Sequence, residues 1–404
     1  MPLPASQDSP AELPSPREQQ WPWWPLLPLY PYGRRRTLVR ELIPGTIWSF
    51  EQLHGVWYVA VPIRMTVMKV GAGLMLYAPI PPTREVIARL RELEAEQGPV
   101  HTIVLPTASG LEHKVPVPAM ARAFPRAILW VTDQQWSFPL QLPAQWLGFP
   151  RQRTRVLFRD GLPHPEQLAW IPLGPLELGL GTFLEIACLD RATGALLVTD
   201  ALVAIQATPP ELFADDPTPL LFHARDQGSE PLVDSAEHRA KGWKRILLFA
   251  NFFRPASVSV PDVGELLGQM FHPGCRSARE HFGFYPFRWS AGWEVEASQL
   301  LARFDAELPI GLAPVLERLV FPGAQHLFID WLQLLSSLTD IKLMMSAHYH
   351  SPQPFGPDQL LNLAQRLQET AWAPSEESWI TLAAIDQTLL DWKVVPPRQK
   401  PRAP

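Results

Sequence analysis

Forty-six of the 404 residues are proline. Proline has a fixed φ and no backbone N–H, so it ends helices and is confined to strand edges, first positions and bulges. At this density the core must be assembled from short strands and helices joined by many fixed turns. Hydrophobic residues make up 47% of the chain and charged residues 19%, enough to bury a sizeable core. The net charge of −5 gives no general attraction to nucleic acid. Two cysteines, Cys188 and Cys275, cannot build a disulfide framework, which suits a reducing, cytoplasmic compartment. No apolar run reaches the ~18 residues of a membrane-spanning helix. The Pro/Ser-rich, acidic start of the chain is not a secretory signal.

In order, residues 1–36 read as a Pro/Trp-rich strap. Trp21, Trp23 and Trp24, followed by Arg34, Arg35 and Arg36, suit either a groove on the protein's own surface or peripheral contact with a membrane. Short β-forming runs follow at 45–50, 56–61, 65–70 and 74–77, with Gly71-Ala72-Gly73 as a hairpin turn. Pro82-Thr83 caps a helix over 83–96, whose apolar residues Val86, Ile87, Leu90 and Leu93 repeat every 3.6 positions. A strand at 101–106, a helix at 118–124 and a strand at 127–132 complete a layered α/β pattern. Residues 133–178 read as irregular. Strands at 182–190 and 195–205 flank a turn, and the second carries one acid, Asp200, inside an apolar run. A charge there is costly unless it is paired or ligating. Residues 206–340 read as a helix-rich insertion, with helices at 244–253, 262–271, 294–304, 313–319 and 325–338. The core resumes over 341–395 with a strand at 341–347 that ends at His348, then helices at 357–370 and 376–392. Residues 396–404 are a basic tail.

The stretch that carries chemistry is Ile103 to Lys114. A β-branched run ends at Pro106-Thr107, a small-residue turn follows, and then Glu112-His113. A strand delivers polar side chains to the edge of a site in this way. The register resembles the Thr-His-x-His-x-Asp-His motif of the metallo-β-lactamase superfamily. Read from Thr107, Ala108 and Gly110 stand for the first two histidines, Glu112 for the Asp and His113 for the last His. The whole chain resembles more closely a domain-of-unknown-function family of cyanobacteria and plastids with a degenerate form of that fold. The carrying segments include Pro62 to Val67, Ser109 to Lys114, Gln135 to Pro139, Val198 to Asp200, Lys241 to Lys244 and Ser346 to Tyr349.

The resemblance implies an α/β fold, an αββα four-layer metallo-β-lactamase-like sandwich with a helical insertion. It also implies two metal sites in the active relatives. One loses its ligands here at Ala108, Gly110 and the position near Leu178. The other keeps Glu112, His113, Asp200 as the bridging acid and His348 as the late histidine. Three readings stay open: a hydrogen-bonded remnant, a single zinc or iron ion on those four residues, and a metal-free catalytic cleft. Two imidazoles and two carboxylates suit one such ion. Two-metal hydrolysis, which needs both ions, is rejected. A Ser109/His113/Glu112 triad is weak because neighbours in sequence do not make triad geometry. His272, Cys275 and His281 read as surface and loop residues, and the aromatic run 282–289 as core or interface. The leading functional expectation is a catalytically degenerate protein that acts by binding a protein partner. The family's distribution implies assembly or maintenance of the photosynthetic apparatus, with a cytoplasmic location peripheral to the thylakoid membrane and no nucleic acid bound. The alternative is a divergent mononuclear metal-dependent hydrolase or oxidoreductase on the remaining site.

Overall fold

Gly71 adopts a left-handed φ of 55°, and the chain reverses there as its sequence predicts. The computed structural model describes residue 19 and residues 35–395, except 138–141, 178–180, 273–276, 305–306, 370–371 and 373–376. Trp21, Trp23, Trp24, Arg34, Leu178 and Cys275 therefore lie outside the described residues.

A first sheet opens with a meander of β1 (Leu38–Ile43), β2 (Ile47–Val56), β3 (Val59–Val70) and β4 (Gly73–Tyr77). The expected breaks inside β2 and β3 are absent. Pro62 lies within β3, but β4 pairs with β3 only from Thr66 to Val70, so Pro62 has no partner strand on that side. The β2–β3 turn is Trp57-Tyr58, with φ of 53° and 63°. Such turns favour Asn-Gly. Here the rings hold it, with Trp57 edge-on to Phe284 at 5.0 Å and Tyr58 to Phe222 at 5.1 Å.

Helix α1 (Arg84–Gln97) starts where Thr83 accepts from the Val86 N–H, the expected cap. It crosses to β5 (Val100–Leu105), parallel to β4. The one-turn α2 (Leu111–Lys114) and α3 (Val117–Ala123) then lead to β6 (Ile128–Val131) and β7 (Thr154–Val156), also parallel. The sheet order is β1-β2-β3-β4-β5-β6-β7.

The second sheet begins with β8 (Leu168–Glu177), β9 (Thr182–Asp190) and β10 (Ala195–Val198). Strands β7 and β8 correct the irregular reading of 133–178. Pro172 and Pro175 hid β8. They are tolerated because β8 is an edge strand whose register breaks between Leu173 and Leu176. Strand β10 also stops well short of residue 205, because the Glu185 carboxylate captures the next three N–H groups, at Thr199, Asp200 and Ala201.

Residues 206–340 hold α4 (Thr218–Ala224), α5 (Ala236–Phe252), β11 (Val258–Ser259), α6 (Val263–Met270), β12 (Arg288–Trp289), α7 (Trp293–Ala302), α8 (Pro314–Leu319) and α9 (Gln325–Ser336). Helix α5 begins earlier than the apolar period suggests, because Ser235 caps it by accepting from His238 N–H. The chain then returns as β13 (Leu343–Ser346), parallel to β10, followed by β14 (Gln353–Pro354), α10 (Pro357–Glu369) and α11 (Ile380–Asp391). The second sheet runs β14-β13-β10-β9-β8.

Three cores define the layers. Val86, Leu90, Val117 and Met120 of α1 and α3 pack on Phe50, Met65 and Ile103 of the first sheet. Met68, Met75 and Val104 of that sheet meet Ile186, Cys188, Leu197 and Met345 of the second. Leu189, Leu196 and Met344 then pack on Phe328, Leu332, Leu360 and Leu363 of α9 and α10. The layers run helix, sheet, sheet, helix, the four-layer αββα sandwich expected. A fourth core joins Leu53, Tyr58 and Ala60 of the β2–β3 hairpin to Phe222 of α4 and Trp243 and Leu247 of α5. No helix among the described residues is long and apolar enough to cross a membrane.

Helices α4 and α5 touch at the backbone: a Cβ added at Gly242 would lie 1.8 Å from the Leu220 carbonyl oxygen. Gly242→Ala is expected to destabilise by about 1–3 kcal/mol or more. Gly268→Ala on α6, where nothing lies within 4 Å, should stabilise by roughly 0.5–1 kcal/mol. Urea unfolding of the two variants checks the contrast.

Candidate metal centre

Strands β10 and β13 are parallel neighbours, so their C-terminal ends deliver Asp200 and His348 side by side. The one-turn α2 that follows β5 of the other sheet brings Glu112 and His113 to the same place. The sheets are stitched at this end. Ala108 N–H donates to the Leu184 carbonyl, Ile186 N–H to the Pro106 carbonyl, and Thr107 bridges Glu185.

The four side chains named from the sequence meet here. His348 Nε2 lies 3.0 Å from Asp200 Oδ1 and 3.5 Å from Glu112 Oε1. The His113 and His348 rings are 5.7 Å apart. Donor atoms of Glu112, His113 and His348 all fall within 4.8 Å of one another, a grouping able to hold one metal ion, and Asp200 joins it through His348. Ala108 is buried and Gly110 lacks a side chain, so neither offers a donor atom.

His113 is fully buried. Its Nδ1 sits 3.1 Å from the Pro79 carbonyl. A carbonyl only accepts, so Nδ1 carries the proton and Nε2 keeps its lone pair. That Nε2 is buried without a hydrogen-bond partner. Metal-binding histidines characteristically donate their other N–H to a backbone carbonyl or carboxylate, as here. Burial pushes the His113 pKa down, so it is neutral.

His348 is the opposite case. Burial opposes its charge, but hydrogen bonds to Asp200 and Glu112, and their negative charges, raise it to about 10. Burial works to raise Glu112, yet the hydrogen bond from His348 and its positive charge hold it well below the usual carboxylate range. The described cluster is thus an imidazolium clamped between two carboxylates, with a neutral imidazole beside it.

Four further residues shape the site and were not read from the sequence. Arg64 is 2% exposed, pairs with Glu51, and donates to the Ser346 and Tyr349 carbonyls on either side of His348. Lys114 is buried and donates to the Ala108 and Gln135 carbonyls; burial lowers it to about 8. His54 is pushed down to about 4 by burial and by Arg35. Glu185 sits mid-strand in an all-buried run, and burial and Asp200 raise it to about 7. The signal for Glu185 was the one that revealed Asp200, an acid inside an apolar run. Arg64 and His54 carried no such signal. Of the strap's basic run, Arg35 is buried and donates to the Leu53 carbonyl, and Arg36 pairs with Asp215 at 2.8 Å.

Residues 44–365 match the profile of a family described as Domain of unknown function (DUF4336). The chain belongs to the DUF4336 family. No curated protein matches it. Among solved structures, this DUF4336 chain is similar to the Flv1 flavodiiron core from Synechocystis, at 10% identity and a TM-score of 0.39 over 83% of this chain and 61% of that one. A flavoprotein from Thermotoga maritima shares 9% identity at a TM-score of 0.39, with 82% and 61% covered. The DIM-1 metallo-β-lactamase shares 8% identity at a TM-score of 0.36, with 82% and 97% covered. The chain spans 61% of the length of the first two. At these identities and scores the matches add nothing to the geometry of the site.

The raised pKa of His348 sets a pH dependence. Its pairing stabilises the fold fully below about 6.5 and is lost as pH rises through about 10. The lowered pKa of Glu112 stabilises above about 4.5 and is lost as pH falls through its depressed value. The stability difference between the parent and His348→Gln is therefore expected to be largest around pH 6 and to fade toward pH 10. Urea unfolding across that range tests it; a constant difference contradicts a charged His348.

Proposed function

We propose that this DUF4336 chain is a degenerate metallo-β-lactamase-like protein that acts by binding and not by two-metal hydrolysis. The observation that supports this reading is at Gly110. A Cβ built there would lie 2.8 Å from Glu112 Oε1 and 3.1 Å from Thr107 Cγ2. The Glu112 carboxylate fills the space a ligating side chain at 110 would need. Two-metal hydrolysis uses both ions on the attacking and leaving oxygens, and Ala108 and Gly110 supply no ligands for a second ion. The family resemblance suggests the partner, a protein complex of the photosynthetic membrane, and a role in its assembly or maintenance. Replacing the gene by His113→Ala is expected to leave photosynthetic growth intact, whereas loss of the chain should impair it. Equal impairment by both counts against binding alone.

A second reading, one cation on Glu112, His113, Asp200 and His348, is favoured by the orphaned Nε2 of His113. These residues fit a single zinc or iron ion, with His113 as a neutral ligand already oriented by the Pro79 carbonyl. Bound there, an ion would act as a Lewis acid on water or a substrate oxygen, the chemistry of a mononuclear hydrolase or oxidoreductase. His348 would give up its proton on binding, so uptake would weaken as pH falls. Titration with Zn²⁺ is expected to saturate at one equivalent and to stabilise by about 2.7 kcal/mol at a hundred times Kd. His113→Ala should abolish both effects. No stabilisation by Zn²⁺ or Fe²⁺ rejects this second reading and leaves the cluster as a hydrogen-bonded remnant.

A further inference from the structure

We infer that Glu185 is the positioning residue of this site, holding the 199–201 turn so that the Asp200 carboxylate meets His348. The inference rests on reading Glu112, His113, Asp200 and His348 as one functional cluster, and it concerns a residue outside that cluster.

Glu185 is fully buried in the middle of β9, where every residue is buried. An acid in such a strand calls for a partner. The partners found are N–H groups. Oε1 accepts from Thr199 at 2.7 Å, and Oε2 accepts from Asp200 and Ala201 at 2.8 Å each. Three consecutive amides converge on one carboxylate, which sets the direction in which the chain leaves β10 and presents the side chain of residue 200.

The backbone of the same residue faces the other half of the site. Glu185 bridges Thr107, and its neighbours Leu184 and Ile186 bond to Ala108 and Pro106. The main-chain bonds of Leu184 and Ile186 on either side of Glu185 tie the turn that leads to Glu112 and His113, and the Glu185 side chain holds the turn that carries Asp200. Residues 184–186 of β9 thus contact both halves of the site, the flanking main chain one and the Glu185 side chain the other.

The test uses metal-free protein labelled with 15N-histidine, at one neutral pH. The ring 15N shifts of His348 are assigned by their loss in His348→Gln. Glu185→Gln, which replaces one acceptor oxygen by a donor, is expected to move those shifts in the direction that Asp200→Asn does. The double variant is expected to move them no further than Asp200→Asn alone, because Glu185 acts through Asp200. Ile186→Val, a neighbouring core truncation, should lower stability and leave the shifts in place. A folded Glu185→Gln with unmoved shifts, or a double variant whose changes add, overturns the inference. If Glu185→Gln does not fold, Glu185→Asp takes its place, and an unmoved His348 overturns the inference. If neither folds, Glu185 serves folding and the inference is overturned. Since no metal is present, failure of the parent to take up an ion rejects the single-ion reading and leaves this result standing.

Discussion

The backbone bonds between residues 106–108 and 184–186 stitch one sheet to the other at the end where the polar side chains gather. Elsewhere the two sheets meet through side chains such as Met68, Met75, Ile186 and Cys188. Packed apolar faces resist separation, but sliding costs them less than it costs a directed hydrogen bond. The stitch supplies the register that the apolar interface lacks. It explains how side chains from distant parts of the sequence, carried on different sheets, come within a few ångströms of each other.

Around the stitch lies an unusual concentration of buried charge. Arg64 and Glu51, Lys114, Glu185 and the His348 cluster are all largely withdrawn from water. Each has its charge answered by a named partner, and most of those partners are main-chain groups. Arg64 and Lys114 donate to carbonyls, and Glu185 accepts from amides. Buried ion pairs seldom add much net stability, because desolvation offsets attraction. They do restrict which backbone conformations are tolerated. At this end of the sandwich the charges define loop shape, and the apolar layers provide the stability.

Much of this was legible in the sequence, for reasons that differ by residue. Thr83 marks its helix because an N-cap is a local signature. Glu112 and His113 follow, across a small-residue turn, a strand whose β-forming run is plain, and His348 stands at the end of another. Strand β8 was hidden because Pro172 and Pro175 argue against a strand, and nothing local says that this one lies at an edge. Pro62 concealed the length of β3 in the same way. The early start of α5 was missed because Ser235 precedes polar residues and not an apolar period. Glu185 carries the same local sign as Asp200, an acid inside an apolar run, and is legible on the same ground. Arg64 shows the real limit: an arginine in a strand gives no sign of the carbonyls it will reach from another sheet.

The turn at Trp57-Tyr58 has a mechanical consequence. Its rings are seated among Phe222, Phe284 and Phe287, and His223 donates to the Trp57 carbonyl. The hairpin it closes runs the length of the first sheet and carries Arg64, which grips the loop around His348. From the opposite direction Asn251 of α5 donates to the hydroxyl of Tyr349, the residue after His348. The His348 loop is therefore held from two sides, by Arg64 of the hairpin and by Asn251 of α5 through Tyr349.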